Sequence, residues 1–266
     1  MEHSRAVLAE QVTRNLAEQN KLFPFCNDLI VFDNGSVYEN ALTYLPKNTR
    51  CVKASENIGY WGAIYWILHN YQHIFQRHFK YIYIIESDLL HYDMPRLISA
   101  EQLLDNEMQI GTVRTQKFSV KWRWLYDKRW SFLPFSQKHS VVAQYNAVTH
   151  EKIWYKKIAV QERLYLTNFH SKLPALNRVD AMIDVFNTLS AKKIITEMDY
   201  IELYYQHYQL TAVLDGGIYW SPASIPNTEI VSGSYSNEAQ LTQANYKSSR
   251  VSDIVNSGFS VSLIKV

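Results

Sequence analysis

Glu86 and Asp88 stand one residue apart at the end of the apolar run Tyr81-Ile82-Tyr83-Ile84-Ile85. Alternate side chains of a strand share a face, so the two carboxylates fall on the same side. Like charges at that spacing repel unless a cation joins them. The pair reads as a candidate clamp for a divalent metal, manganese or magnesium, that in turn holds a phosphorylated ligand. The alternative is an ordinary strand end with two solvated acids. A second acidic site is Thr196-Glu197-Met198-Asp199. Thr196 can cap a helix there, and acids in its first turn are favoured by the helix dipole.

Positive charge is concentrated between Arg114 and Lys138. Seven basic residues (Arg114, Lys117, Lys121, Arg123, Lys128, Arg129, Lys138) face one acid, Asp127, with Trp122, Trp124, Trp130 and Phe132 interleaved. Charge and stacking together suit an anion: a donor pyrophosphate, or a nucleic-acid acceptor. Lys121, Arg123, Trp124 and Arg129 are the residues that would make such contacts. The alternative is a solvated basic loop whose tryptophans pack inward.

These side chains need a scaffold, and the pattern supplies one. Ala6, Val7, Val12, Leu16 and Ala17 recur at helical spacing after Ser4, so the chain opens on a helix from about Ser4 to Asn20. Asp28 to Asp33 reads as a buried strand closed by the turn Asn34-Gly35-Ser36, and Thr49 to Lys53 as a second strand. Glu56-Asn57-Ile58-Gly59 then leads into a helix from about Trp61 to Gln76, with glycines that let backbone approach a ligand. The Tyr81–Asp88 strand follows. Met108 to Val113 is expected as a strand, and Ser140–Thr149 and Ile153–Leu166 as strands or a β-ribbon. Leu176–Leu189 and Thr196–Tyr208 are expected as helices, and Leu210–Leu214 as a strand. The order predicts an α/β domain with a mostly parallel central sheet flanked by helices.

With 266 residues, 47% of them hydrophobic, the chain can bury a large core. It shows neither a repeat nor a linker, which favours one domain: a ligand-binding half over 1–113, a second half over 114–231 and a tail over 232–266. With 27 basic and 25 acidic residues, no global polyanion signal exists. The two cysteines, Cys26 and Cys51, form neither a disulfide framework nor a metal spacing. That usage, with no apolar run of membrane-spanning length and no leader-like segment, leads to the expectation of a cytoplasmic protein.

Four pieces follow in order: Asp33-Asn34-Gly35-Ser36, Asn57-Ile58-Gly59, Glu86-Ser87-Asp88 and Glu197-Met198-Asp199. In that order they resemble the inverting glycosyltransferases of the GT-A fold, family 2-like. Their motifs read Asp-x-Gly-Ser, Asn-x-Gly, Asp-x-Asp and Glu-Asp. The resemblance spans roughly Ser4 to Leu214. It implies a single Rossmann-like GT-A domain that moves a sugar from a nucleotide-sugar to an acceptor hydroxyl with inversion. It further implies donor contacts from Asp33, Asn34, Asn57 and Gly59, with Arg5 falling where the family's first strand has just ended. Asp88, with Glu86 in place of the first Asp, would hold the metal. Asp199, with Glu197 beside it, would be the general base. The acceptor is expected to be a glycan or, as in phage enzymes, a modified base in DNA. A non-catalytic sugar-nucleotide-binding module is the third reading. The family's first strand has no counterpart after Met1, so either that strand is absent or the sheet is completed another way.

Overall fold

The computed structural model describes residues 2–24, 28–35, 44–86, 89–115, 154–159, 163–168, 170, 174–191, 197–208, 210–214, 218–220 and 261–265. The basic-aromatic stretch with Lys121, Arg123, Trp124 and Arg129 lies outside them, as do Asp88 and the strand expected over Ser140–Thr149.

Helix α1 (Glu2–Leu22) leads to β1 (Ile30–Asp33) and β2 (Arg50–Ala54). Helix α2 (Gly59–Phe75), β3 (Tyr81–Ile84) and the short β4 (Leu90–His91) follow. A 3-10 turn, Met94–Arg96, then runs into α3 (Leu97–Asn106) and β5 (Ile110–Thr115). Beyond the undescribed stretch come β6 (Tyr155–Ala159), β7 (Leu164–Thr167) and β8 (Ala175–Arg178). Helices α4 (Val179–Ser190) and α5 (Glu197–His207), then β9 (Leu210–Leu214), β10 (Tyr219–Trp220) and β11 (Val261–Lys265), complete the order.

The strands form a six-stranded sheet, β3-β8-β5-β9-β7-β6, a three-stranded sheet, β1-β2-β11, and the pair β10-β4. Alternation sorts their side chains into two cores. Ile82 and Ile84 face one core with Ile64 and Leu68 of α2, Met182, Val185, Phe186 and Leu189 of α4, and Tyr200, Ile201 and Leu203 of α5. Tyr81 and Tyr83, one residue out of phase, face the other, with Met94, Leu97, Ala100 and Leu104 around α3. Val31 of β1 packs with Val12 and Leu16 of α1, and the next residue, Phe32, sets its ring 5.7 Å from Trp66 of α2. The result is a sheet layer with α1 and α3 on one face and α2, α4 and α5 on the other. The register of β5 shifts between Ile110 and Val113. A bulge there lets these two residues, three positions apart, enter the same core.

The mostly parallel sheet expected from the element order is not what forms; the sheet is mixed. Among the described residues parallel pairing is confined to β1–β2 and β5–β9. Strand β8 runs antiparallel to both β3 and β5 and so breaks the run. The reason is local: Leu176–Arg178, read as the start of a helix over Leu176–Leu189, is part of the extended strand Ala175–Arg178 instead. Leu176 turns to the α3 core, while Asn177, on the opposite face, accepts a hydrogen bond at Oδ1 from Thr112 Oγ1 at 2.7 Å. The helix then begins at Val179, after Arg178 at ψ 129°. Arg178 is used at the strand end: its guanidinium donates to Ile110 O at 2.9 Å and to Leu104 O, capping the last turn of α3. Helix α3 and the tail strand β11, antiparallel to β2, were not legible from periodicity.

Candidate functional site

The turn after β1 and the turn before α2, joined by a bond between residues 24 apart in the sequence, are one structure. Asn34 joins them with both ends of its amide. Its Oδ1 accepts from Ile58 N at 2.8 Å, and its Nδ2 donates to Gly59 O at 3.2 Å. Asn57 closes a smaller ring, its Oδ1 accepting from Gly59 N at 2.9 Å. Such Asx turns let a short side chain stand in for backbone. Gly35 (φ 72°) and Gly59 (φ 74°) occupy the left-handed region that glycine permits. A Cβ at Gly35 would lie 2.6 Å from Glu56 C and 2.7 Å from Asn57 N, so only glycine allows the two turns to touch. Asp33, the last residue of β1, is buried beside them. Burial, with the charge of Asp33 adding to it, pushes the Cys51 thiol of β2 up to about 11, so Cys51 stays an unreactive thiol at neutral pH.

The same junction reaches the acidic turn. Tyr60 and Trp61 open α2 immediately after Gly59. Trp61 sits 5.8 Å from Tyr200 and 5.7 Å from Phe186, ring to ring. Tyr200 follows Asp199 in the first turn of α5, and its hydroxyl donates to Met182 Sδ at 3.0 Å. Aromatic packing therefore ties the Asn57–Gly59 turn to the end of α5 that carries Glu197 and Asp199. Asp199 is half-buried.

Two buried histidines stand near these parts. His170 stacks on Tyr204 at 4.1 Å and 11°, with the Tyr200 ring 5.5 Å away. Among the described residues neither of its ring nitrogens has a hydrogen-bond partner. Burial, and secondarily the charge of Arg114, hold it well below the ordinary histidine value. His91 lies beyond the end of β3. Asn15 of α1 brackets its backbone, Nδ2 donating to His91 O at 2.6 Å and Oδ1 accepting from His91 N at 2.7 Å. The Tyr83 hydroxyl shares hydrogen bonds of 3.1 Å with His91 Nε2 and with Thr115 Oγ1. Burial lowers His91 to about 4 and raises Tyr83 well above the usual tyrosine value. Both imidazoles are thus neutral at pH 7. Isolated histidines carry no spacing signal, which is why neither stood out in the sequence.

Of the residues singled out from sequence, Asp33, Asn34, Asn57 and Gly59 come together as one unit at the carboxyl end of β1. Glu86 follows the end of β3, half-buried, and its carbonyl accepts a turn bond from Leu89 N at 3.3 Å. Glu197 and Asp199 are in α5 as expected, and Arg5 is in α1. Arg114, counted with the exposed basic stretch, is instead a buried residue of β5, 3% exposed. Strand β3 stops at Ile84, so strand alternation does not extend to Glu86. Among the described residues no group of three or more His, Cys, Asp or Glu side chains could hold a metal.

In comparisons with known proteins, no family model matches the chain, and neither a curated protein nor a solved structure matches it. Among the described residues no helix is long and apolar enough to cross a membrane.

Proposed function

We propose that this protein transfers a sugar from a nucleotide-sugar donor to an acceptor hydroxyl, with inversion. The observation that carries the reading is the Asn34–Gly59 junction. It is a preorganised turn at the carboxyl end of a strand, where α/β sheets take their ligands, linked by Trp61–Tyr200 to a helix end with two carboxylates. In this reading Asp33 and the two turns hold the nucleoside, and Arg5 lies on the donor side. Asp199, with Glu197 beside it, takes the proton from the acceptor hydroxyl as its oxygen bonds to the anomeric carbon. The bond from that carbon to the diphosphate breaks at the same time, and negative charge grows on the departing nucleoside diphosphate. Basic side chains among Lys121, Arg123 and Arg129 stabilise that charge. Asp88 and Glu86 are the residues that would hold a manganese or magnesium ion, which when bound neutralises the diphosphate.

The test is turnover of a panel of nucleotide-sugars with and without manganese. Hydrolysis or transfer that needs the metal, and that falls at least about 100-fold in Asp88→Ala and in Asp199→Asn, supports the reading. Saturable donor binding with no turnover of any donor would make the protein a binding module that is not an enzyme. The six basic residues from Lys117 to Lys138 and their interleaved tryptophans favour an anionic acceptor, DNA with a modified base, over a neutral glycan. Binding to duplex DNA that weakens steeply with salt supports that choice, and no binding at low salt refutes it.

A further inference from the structure

Helix α2 carries two exposed histidines four residues apart, His69 and His73. At that spacing side chains are neighbours on one face of a helix. An exposed side chain is ordinarily free to change rotamer, but the ring of His69 is held on three sides. Its Nδ1 lies 2.8 Å from Tyr65 O, one turn back. The Tyr65 ring packs against it at 4.1 Å between centroids. Its Nε2 lies 2.9 Å from Asn187 Oδ1 of α4. In the neutral ring Nδ1 donates its proton to the carbonyl, which leaves a lone pair on Nε2. That lone pair meets an amide oxygen with lone pairs of its own. The contact is repulsive unless a cation accepts from both or the amide turns its N–H inward. A carbonyl on Nδ1 that leaves Nε2 as the acceptor is how a protein orients a metal-ligating imidazole. No hydrogen bond or ion pair holds the ring of His73 among the described residues, so it can turn to the same ion.

We infer that His69 Nε2, His73 and Asn187 Oδ1 form a site for a divalent transition-metal ion of the copper or nickel type. Two ligand atoms about 2.1 Å from one ion, and at right angles to each other, stand about 3 Å apart. The separation of Nε2 and Oδ1 is 2.9 Å. Right angles belong to the tetragonal fields of Cu2+ and Ni2+, and imidazole nitrogen suits both ions. No third His, Cys, Asp or Glu joins the two histidines among the described residues. Water therefore fills the remaining positions, and the ion can exchange. The ion would also fasten two helices together. His78, beyond the end of α2, lies 3.8 Å from Asp180 at the start of α4, while His69 meets Asn187 nearer the end of α4. The helices thus run antiparallel, and the metal would tie them one turn and more away from the Asp180 contact. This site uses none of the residues of the transfer reading and does not depend on it.

The experiment is calorimetric titration of the whole protein with CuCl2 and with NiCl2 in a buffer that does not bind metal. All samples carry His3→Ala, which removes the imidazole nearest the amino-terminal nitrogen. Binding should saturate at one ion per chain, with Cu2+ held more tightly than Ni2+. His69→Ala and His73→Ala should each weaken Cu2+ binding at least about tenfold, and His78→Ala should leave it unchanged. The substituted side chains are exposed, and circular dichroism checks that each variant keeps its helices. Saturating Cu2+ should raise the melting temperature of the parent and not that of His69→Ala. Cu2+ binding that survives undiminished in His69→Ala or in His73→Ala overturns the proposal, as does an equal loss in His78→Ala. So does a parent that binds no Cu2+, which would mean that the Asn187 amide turns its N–H to His69 and the pair is only a hydrogen bond.

Discussion

Strands β5 and β3 lie in one sheet, separated only by β8, yet they are buried in the opposite order from their polarity. Strand β5 contains Thr112, Arg114 and Thr115 and is buried throughout, while Tyr81-Ile82-Tyr83-Ile84 stays partly exposed. The difference is the number of neighbours. Strand β5 is hydrogen-bonded on both sides, and its threonines have found partners inside: Thr112 Oγ1 donates to Asn177, Thr115 Oγ1 donates to Pro174 O at 3.2 Å, and Thr211 Oγ1 donates to Thr112 O at 3.1 Å. Among the described residues strand β3 has one neighbour, β8. Between β3 and β5, burial follows strand pairing rather than hydrophobicity.

That contrast can be broken at the core. Phe186, 2% exposed against Trp61 and Tyr200, should cost about 3–5 kcal/mol as Phe186→Ala. Phe32→Ala, on β1, should cost less than half as much in the same urea titration. Equal losses would show that β1 is as enclosed as the α2–α4–α5 core.

Gly35→Ala tests the turn that bridges the two strand ends. The positive φ and the 2.6 Å approach to Glu56 both oppose a methyl group. A loss of at least about 2 kcal/mol is expected from strain of this kind, along with weaker donor binding measured by calorimetry. An Ala variant as stable as the parent would mean that the turns are not locked together.

Buried His91, hydrogen-bonded to Tyr83 of β3, gives a pH test. For His91, lowered from 6.5 to about 4, the unfolded chain takes up the proton first as pH falls. Its contribution to stability is therefore intact above about pH 6.5 and shrinks as pH falls from there toward 4. At pH 5 the expected loss is about 2 kcal/mol, at about 1.4 kcal/mol per pH unit. Thermal melts at pH 7.5 and 5 should show it, and His91→Gln should flatten the difference.

The smallest effect is expected at Asn34→Ala, at about 1–2 kcal/mol, because one side chain satisfies two backbone groups that water can partly reach. Asn34→Asp keeps the acceptor for Ile58 N and should recover part of the loss in the same melts.

Periodicity read α1, α2, α5 and strands β1, β2, β3, β5 and β9 to within a few residues, because each carries its own pattern and punctuation. The glycines at 35 and 59 and the amides at 34 and 57 were equally legible as turn chemistry, and the turns they form do meet. Strand β8 was not legible: Ala175-Leu176-Asn177-Arg178 has no strand alternation beyond one apolar face, and its extended form comes from ladders to β3 and β5 that are distant in sequence. Arg114 looked like part of a basic surface because charge is read by neighbours along the chain, while its burial in β5 comes from neighbours across the sheet.

Local physics in the sequence alone thus determined that Asn34, Gly35, Asn57 and Gly59 form tight turns at the end of a strand and the start of a helix. Only the tertiary structure decided that these turns touch, that Trp61 carries them to the acidic end of α5, and that β1 and β3 have one strand neighbour each among the described residues. Turn chemistry is set by one or two residues and their own backbone. Which strands become neighbours depends on every strand at once, and no single segment encodes it.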